Sequence, residues 1–305
     1  MLPLLPEERR ITRAVDIARS LPARRLRGWL SRLRGPSTRL EALWLTNASG
    51  YRIHLHVHEP DDETPRAAVV LVPGRDHAGS VFCRGLSLIS ADELAAAGIR
   101  TVHFDPVGRG RSWGHDDFCG VEGQDALRAV LDFVHSRHNV LPDRVGVLSM
   151  SMGLSLAAPV LAREGRRLKT SFLLDWEGPA TRDVLLRGSP IPSTARAALA
   201  HDPDTFWAVR EPIAWIDQLP CRYVRIQARR DHALGDQGIG CALSLLNQAT
   251  RGAARATELN DNPSDTAWRL DQVPDLDWAP ESSAALNRLL IRKIVELTGT
   301  QQTTG

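Results

Sequence analysis

Residues 145–157 read Val-Gly-Val-Leu-Ser-Met-Ser-Met-Gly-Leu-Ser-Leu-Ala and concentrate the chemistry of the chain. An apolar run of strand length stops at Ser149-x-Ser151-x-Gly153 and passes at once into a helical pattern. A serine on so sharp a strand-to-helix turn sits on strained backbone, with its hydroxyl exposed at the edge of the sheet. Neighbouring chain crowds such a turn, and the small residues Ser149 and Gly153 meet that need. Ser149 reads as the filler of the turn and not as a second nucleophile. The helix that follows points free N–H groups and positive partial charge at a developing oxyanion. A serine so placed suits attack on a carbonyl carbon.

His54, His56 and His58 alternate with Leu55 and Val57, so three imidazoles share one strand face. Such spacing could bind zinc or another metal. No carboxylate or fourth ligand is evident nearby, so a solvated outer face is expected and no metal is assigned. Cys83, Cys119, Cys221 and Cys241 form no CxxC pair, which suggests neither a zinc site nor a disulfide framework. There is neither a GxxxxGK[ST] loop nor a GxGxxG opening a helix, so nucleotide phosphates are not indicated. No cofactor is expected.

The elements that must position Ser151 alternate. A hairpin is predicted over 41–58, and strands over 67–73, 100–104, 144–149, 171–175, 221–228 and 256–259. Helices are predicted over 86–97, 123–137, 153–164, 239–250 and 283–297. Short apolar strands alternating with helices predict an α/β fold, a mostly parallel doubly wound sheet covered on both faces. Residues 179–219 interrupt the alternation and form a candidate cap over a site. The implied division is a helical extension (1–40), a core (41–178 and 220–297) around the cap insertion (179–219), and a flexible tail (298–305). In the extension, apolar residues recur at helical spacing on both sides of Pro22, and in the first 34 residues nine Arg stand against three acidic residues. A helical pair packing on the core is preferred there to contact with a membrane surface or an acidic partner.

Four motifs in order, each at the end of a strand, make the chain resemble the α/β-hydrolase family over roughly residues 41–297. Pro73-Gly74-Arg75 looks like that family's oxyanion loop. Asp105-Pro-Val-Gly108-Arg-Gly110-Arg-Ser112 looks like its Asp-x-x-Gly-x-Gly-x-Ser turn. Ser149-x-Ser151-x-Gly153 looks like its nucleophile elbow, with Ser in place of the usual first Gly. Arg229-Arg230-Asp231 ends a strand where the family places its catalytic acid. The resemblance implies that Ser151 is the nucleophile and that the backbone N–H groups of Met152 and Arg75 form the oxyanion hole. It also implies that Asp231 orients the base, and that Gly108 and Gly110 serve the turn alone.

One departure matters. The family's His follows the last strand, where this chain has Asn260-Asp261-Asn262-Pro263. Asn cannot accept and return a proton near neutral pH, and a serine without a base is a poor nucleophile. His232, directly after Asp231, and His77, in the oxyanion loop, are the two leading candidates for a relocated base. His115 is a weaker one, and His103 reads as a core residue. Asp175, in Leu-Asp175-Trp-Glu177-Gly, is the alternative acid, because some family members draw theirs from that strand.

Two function classes remain open on the sequence. One is a serine hydrolase that cleaves, or transfers, an acyl group from an ester, thioester or amide. The other is a catalytically impaired member of the fold that binds a small ligand or a protein. Trp176, Trp207 and Trp215 are candidate pocket walls for an apolar or aromatic substrate group. The 38 basic residues balance 36 acidic ones, which gives no reason to expect nucleic acid. A mean hydropathy of −0.22 and strand-sized apolar runs argue against a transmembrane helix. The N-terminus lacks the pattern of a secretory signal, so a cytoplasmic location is the default expectation. Oligomeric state is not legible.

Overall fold

The computed structural model describes residues 37–83, 89–186, 190–252, 257–273 and 283–300. The helical pair predicted within 7–34, the first residues of the helix predicted over 86–97, and the end of the tail lie outside the described residues.

Strands β1 (Thr38–Thr46) and β2 (Arg52–Pro60) form the expected antiparallel hairpin, with Leu43 opposite Leu55. Asn47 and Gly50 make its turn. The Asn47 side chain accepts from the Tyr51 N–H at 2.8 Å, and Gly50 takes a φ of +83° that a side chain would resist. The remaining strands are β3 (Arg66–Val72), β4 (Arg100–Phe104), β5 (Val140–Met150), β6 (Phe172–Trp176), β7 (Arg222–Ile226), β8 (Thr257–Leu259) and β9 (Asn262–Ser264). They form one sheet in the order β1-β2-β4-β3-β5-β6-β7-β8-β9, parallel from β4 through β8. β9 is not among the strands that the sequence predicts. It pairs antiparallel with β8, and Pro263 is tolerated there because the strand lies at the sheet edge.

Val69, Val70 and Leu71 are all fully buried, since both faces of the sheet are covered. On one face α1 (Ala91–Ala96) and α8 (Ser283–Thr298) bring Leu94, Leu286, Leu290 and Ile294 onto Leu148, Leu174 and Val224. On the other, α2 (Val121–Ser136), α3 (Leu154–Leu168) and α7 (Gly238–Ala249) bring Leu127, Val130, Leu156 and Leu245 onto Val70, Val147 and Leu173. Each contributing helix buries an apolar stripe at a spacing of three or four residues.

Between β6 and β7 the described residues include the short α-helices α4 (Arg182–Leu185), α5 (Ser193–His201) and α6 (Pro203–Ala208). Asp202 caps α6 by accepting from the Thr205 N–H, and Pro203 occupies its first turn. Buried Arg210 ties this segment to the core by donating to the carbonyls of Asp117, Phe118 and Phe206.

The three strand histidines depart from expectation. His54 and His58 are buried, and only His56 is part-exposed. The loop after β4 and α1 cover that face: His54 Nδ1 lies 3.1 Å from Asp105, and His58 Nδ1 lies 2.6 Å from Asp92. His58 Nε2 meets Nε2 of fully buried His103 at 2.9 Å, a spacing that accommodates one shared proton.

Candidate active site

Ser151 opens a single 3-10 turn, Ser151–Gly153, between β5 and α3. Its φ is +48°, a conformation that a non-glycine residue holds only where the surroundings enforce it. The enforcing contacts come from the end of β3. A Cβ on Gly153 would lie 2.8 Å from the carbonyl oxygens of both Val72 and Pro73, and one on Gly74 would lie 3.3 Å from Ser151 Cβ. Ser149 is fully buried, consistent with filling the turn.

Ser151 Oγ lies 2.9 Å from His232 Nε2. His232 stands on the loop after β7, where Asp231 and Gly235 exchange two backbone hydrogen bonds of 3.0 Å each. Asp231 Oδ1 accepts from the N–H groups of Ala233 and Leu234 and tightens that loop. The other ring nitrogen, Nδ1, lies 2.7 Å from Glu177 Oε2. Glu177 follows β6 directly, is buried, and has a φ of +50°. Its Oε2 also accepts from the His232 backbone N–H at 3.0 Å, and its Oε1 accepts from Ala228 N–H at 2.8 Å. The indole of Trp176 stacks on the imidazole, with centroids 4.7 Å apart and planes 21° from parallel. Burial alone would lower the His232 pKa. The hydrogen bond to Glu177 and the charges of Glu177 and Asp231 outweigh it and raise it above the usual imidazole value.

Hydroxyl, imidazole and carboxylate thus stand in line, and their residues border a cavity of about 430 Å³, which Met150, Met152, Trp176, Val184, Leu185 and Leu234 help to line. A hydroxyl hydrogen-bonded to an imidazole, itself held by a carboxylate, can pass its proton to that ring. Glu177, Asp231 and His232 also present ligand atoms within 4.8 Å of one another, close enough to hold a cation. Glu177 Oε2 and Asp231 Oδ1 already accept from the ring and backbone N–H groups just described.

No protein-family profile and no curated protein sequence matches the chain. Solved structures do match in fold. S-formylglutathione hydrolase from Staphylococcus aureus aligns with a TM-score of 0.60 at 14% identity, over 86% of this chain and 99% of that one. The Pyrococcus furiosus esterase Pf2001 aligns with a TM-score of 0.59 at 14% identity, over 86% and 91%. A dipeptidyl aminopeptidase IV of Bacteroides ovatus aligns with a TM-score of 0.60 at 14% identity; 85% of this chain is covered, but only 36% of that longer chain. This chain has the α/β-hydrolase fold.

Set on that fold, the predicted site residues divide. Ser151 and His232 come together. His77 lines the same cavity, but it is His232 that hydrogen-bonds Ser151. The backbone of His115 abuts Gly108 in the glycine turn, and His115 does not line the cavity. Asp231 does not take the expected place beside the base. Its nearest oxygen is 3.7 Å from His232 Nδ1 and is occupied by the loop, because neighbouring residues on one tight turn cannot aim their side chains squarely at each other. Asp175 does not meet the imidazole either. It is fully buried against Tyr223 and Arg225, and it holds the turn after β6 through Gly178 N–H. Glu177, named at sequence level without a role, is the carboxylate that meets the imidazole. The positive φ that aims it was not legible.

At the position where an α/β-hydrolase usually places its His, Asn260 instead spans both backbone polar groups of Gln227, accepting from N–H at 2.8 Å and donating to C=O at 2.9 Å. In the loop after β3, the Arg75 side chain lies over Phe118 at 4.9 Å and donates to the Leu185 carbonyl. Arg109, from the glycine turn, donates to the Gly74 carbonyl at 3.0 Å while paired with Asp116. Sequence reasoning missed this brace. Gly108 and Gly110 have φ values of +72° and +55°, as a tight turn demands. Of the three tryptophans, Trp176 alone lines the cavity. Trp207 packs against Phe118 and Phe206, and Trp215 donates to the Ala208 carbonyl, so both brace the segment between β6 and β7. Among the described residues no helix is long and apolar enough to cross a membrane.

Proposed function

We propose that this protein is a serine hydrolase that cleaves, or transfers, an acyl group from an ester, thioester or amide. The observation that carries this reading is the continuous chain Ser151 Oγ–His232 Nε2 (2.9 Å) and His232 Nδ1–Glu177 Oε2 (2.7 Å). In the proposed cycle His232 Nε2 takes the Ser151 proton as the oxygen attacks the carbonyl carbon. The backbone N–H groups of Met152 and Arg75 receive the oxyanion. His232 then gives the proton to the leaving group, an acyl-enzyme remains on Ser151, and water or another acceptor releases it by the same steps. Glu177 holds the ring with Nδ1–H toward itself and stabilises the imidazolium.

The non-catalytic alternative rested on the missing His after β8. His232 supplies an imidazole from the neighbouring strand end, which supports the enzyme. Labelling with a fluorophosphonate, the adduct mapped by mass spectrometry, tests the assignment. A label on Ser151 that disappears in His232→Ala is expected. A folded protein that takes no label would overturn the reading.

A further inference from the structure

We propose that Arg225 is a positioning residue of this site: its guanidinium fastens the residue after Glu177 and, through Gln227, the residue before His232, and so sets how the carboxylate meets the imidazole. This inference rests on the hydrolase reading above and extends it to the residues behind Ser151, His232 and Glu177. Arg225 lies within β7, in register with Asp175 of β6, and is fully buried. The neighbouring register pair, Leu174 with Val224, shows what such a position ordinarily holds. An apolar pair would serve stability about as well, because burying a guanidinium and a carboxylate costs much of what their attraction returns. What the guanidinium adds is geometry, a planar fork of donors that fixes several partners at once.

Its partners belong to the two segments that present Glu177 and His232. Nη1 donates to Asp175 Oδ2 and, at 3.0 Å, to the Gly178 carbonyl. Asp175 Oδ1 accepts from the Gly178 N–H at 3.0 Å, so the ion pair holds both backbone groups of Gly178. Gly178 directly follows Glu177, whose φ of +50° aims its carboxylate at the ring. A Cβ on Gly178 would lie 2.6 Å from Asp175 Oδ1, so the turn closes tightly on the pair. On the other side, Nε and Nη2 both donate to Gln227 Oε1, at 3.1 and 2.6 Å. That leaves the amide nitrogen to face Asp231, and Nε2 donates to Asp231 Oδ2 at 3.1 Å. The second oxygen of Asp231 holds the loop that carries His232. One fork thus reaches the residue after the carboxylate and the residue before the imidazole.

The test reads the contact between Glu177 and His232 directly. A proton held between Nδ1 and a carboxylate gives a far-downfield NMR resonance, assigned here by its absence in His232→Gln. Gln227→Met cuts the link to Asp231 and leaves the ion pair of Arg225 and Asp175 in place. The double variant Asp175→Asn/Arg225→Gln removes both charges together, so no lone charge is left buried. Tyr223→Phe is the structural control: it removes a 2.9 Å bond to the same Asp175 oxygen but none to Gly178 or Gln227. In Gln227→Met and in the double variant the resonance is expected to broaden or vanish. In both, kcat for p-nitrophenyl acetate is expected to fall about tenfold or more with KM within about twofold. Tyr223→Phe is expected to lower Tm and keep both the resonance and kcat. A wild-type resonance and kcat in either folded variant would overturn the proposal, as would equal losses in Tyr223→Phe. If the double variant does not fold, Gln227→Met decides. If wild type turns over no ester and takes no fluorophosphonate label, the hydrolase reading itself fails, and the resonance alone then decides whether Arg225 positions the pair.

Discussion

Glu177 is tied to His232 twice, its Oε2 accepting from the ring Nδ1 at 2.7 Å and from the backbone N–H at 3.0 Å. One carboxylate oxygen therefore sets both the position of the residue and the tautomer of its ring. Asp231, which the family pattern nominates, is 3.7 Å from the same nitrogen and is engaged by its own loop.

This division gives the first prediction. Glu177→Gln should lower kcat by on the order of 10⁴-fold, the loss typical of a triad carboxylate, with the fold intact. Asp231→Asn should act mainly on stability by loosening the loop from Asp231 to Gly235, with a smaller effect on kcat. Steady-state kinetics beside thermal melts separate the two, and the reverse ranking would return the acid to Asp231.

The pH profile follows from the raised pKa of His232. In the proposed cycle the base works neutral, so kcat/KM should rise with pH through an apparent pKa above the ordinary value of about 6.5. Asp231→Asn removes one of the charges that raise it, so the midpoint should move to lower pH. A midpoint that stays or moves upward would contradict the electrostatic account.

His103 makes a prediction about stability. Burial, with His58, His56 and His54 as neighbours, holds its pKa well below the ordinary imidazole value. The folded state keeps the ring neutral while the unfolded chain takes up a proton near pH 6.5. Stability should therefore fall as pH drops below about 6.5, by up to about 1.4 kcal/mol per pH unit for this one group. His103→Gln should show a shallower loss of Tm between pH 7 and pH 5 than wild type.

Gly153 tests the turn itself. In Gly153→Val the added Cβ would stand 2.8 Å from two carbonyl oxygens of the β3 end, so backbone must move. We expect a destabilisation of about 1–3 kcal/mol, read in a denaturant melt, and a fall in fluorophosphonate labelling as Ser151 shifts away from His232.

The sequence by itself determined the sheet, the elbow and the glycine turn, because each is written in neighbouring residues. Strand runs such as Ala67–Val72 and the stripe Leu127, Val130, Leu131 and Val134 declare their period locally. Ser149, Ser151 and Gly153 declare a crowded turn by their size. The imidazole that meets Ser151 and the carboxylate that meets the imidazole are of another kind. His232 lies 81 residues from Ser151 and 55 from Glu177, so no spacing links them. They meet because β5, β6 and β7 run parallel and adjacent, which brings three consecutive strand ends to one edge of the sheet. Which carboxylate reached the imidazole was then decided by backbone direction. Glu177, at φ +50°, turns toward the ring, while Asp175, two residues earlier in β6, turns to Arg225 and Tyr223. Such choices depend on what packs against each strand end, and that is settled only when the whole sheet has formed.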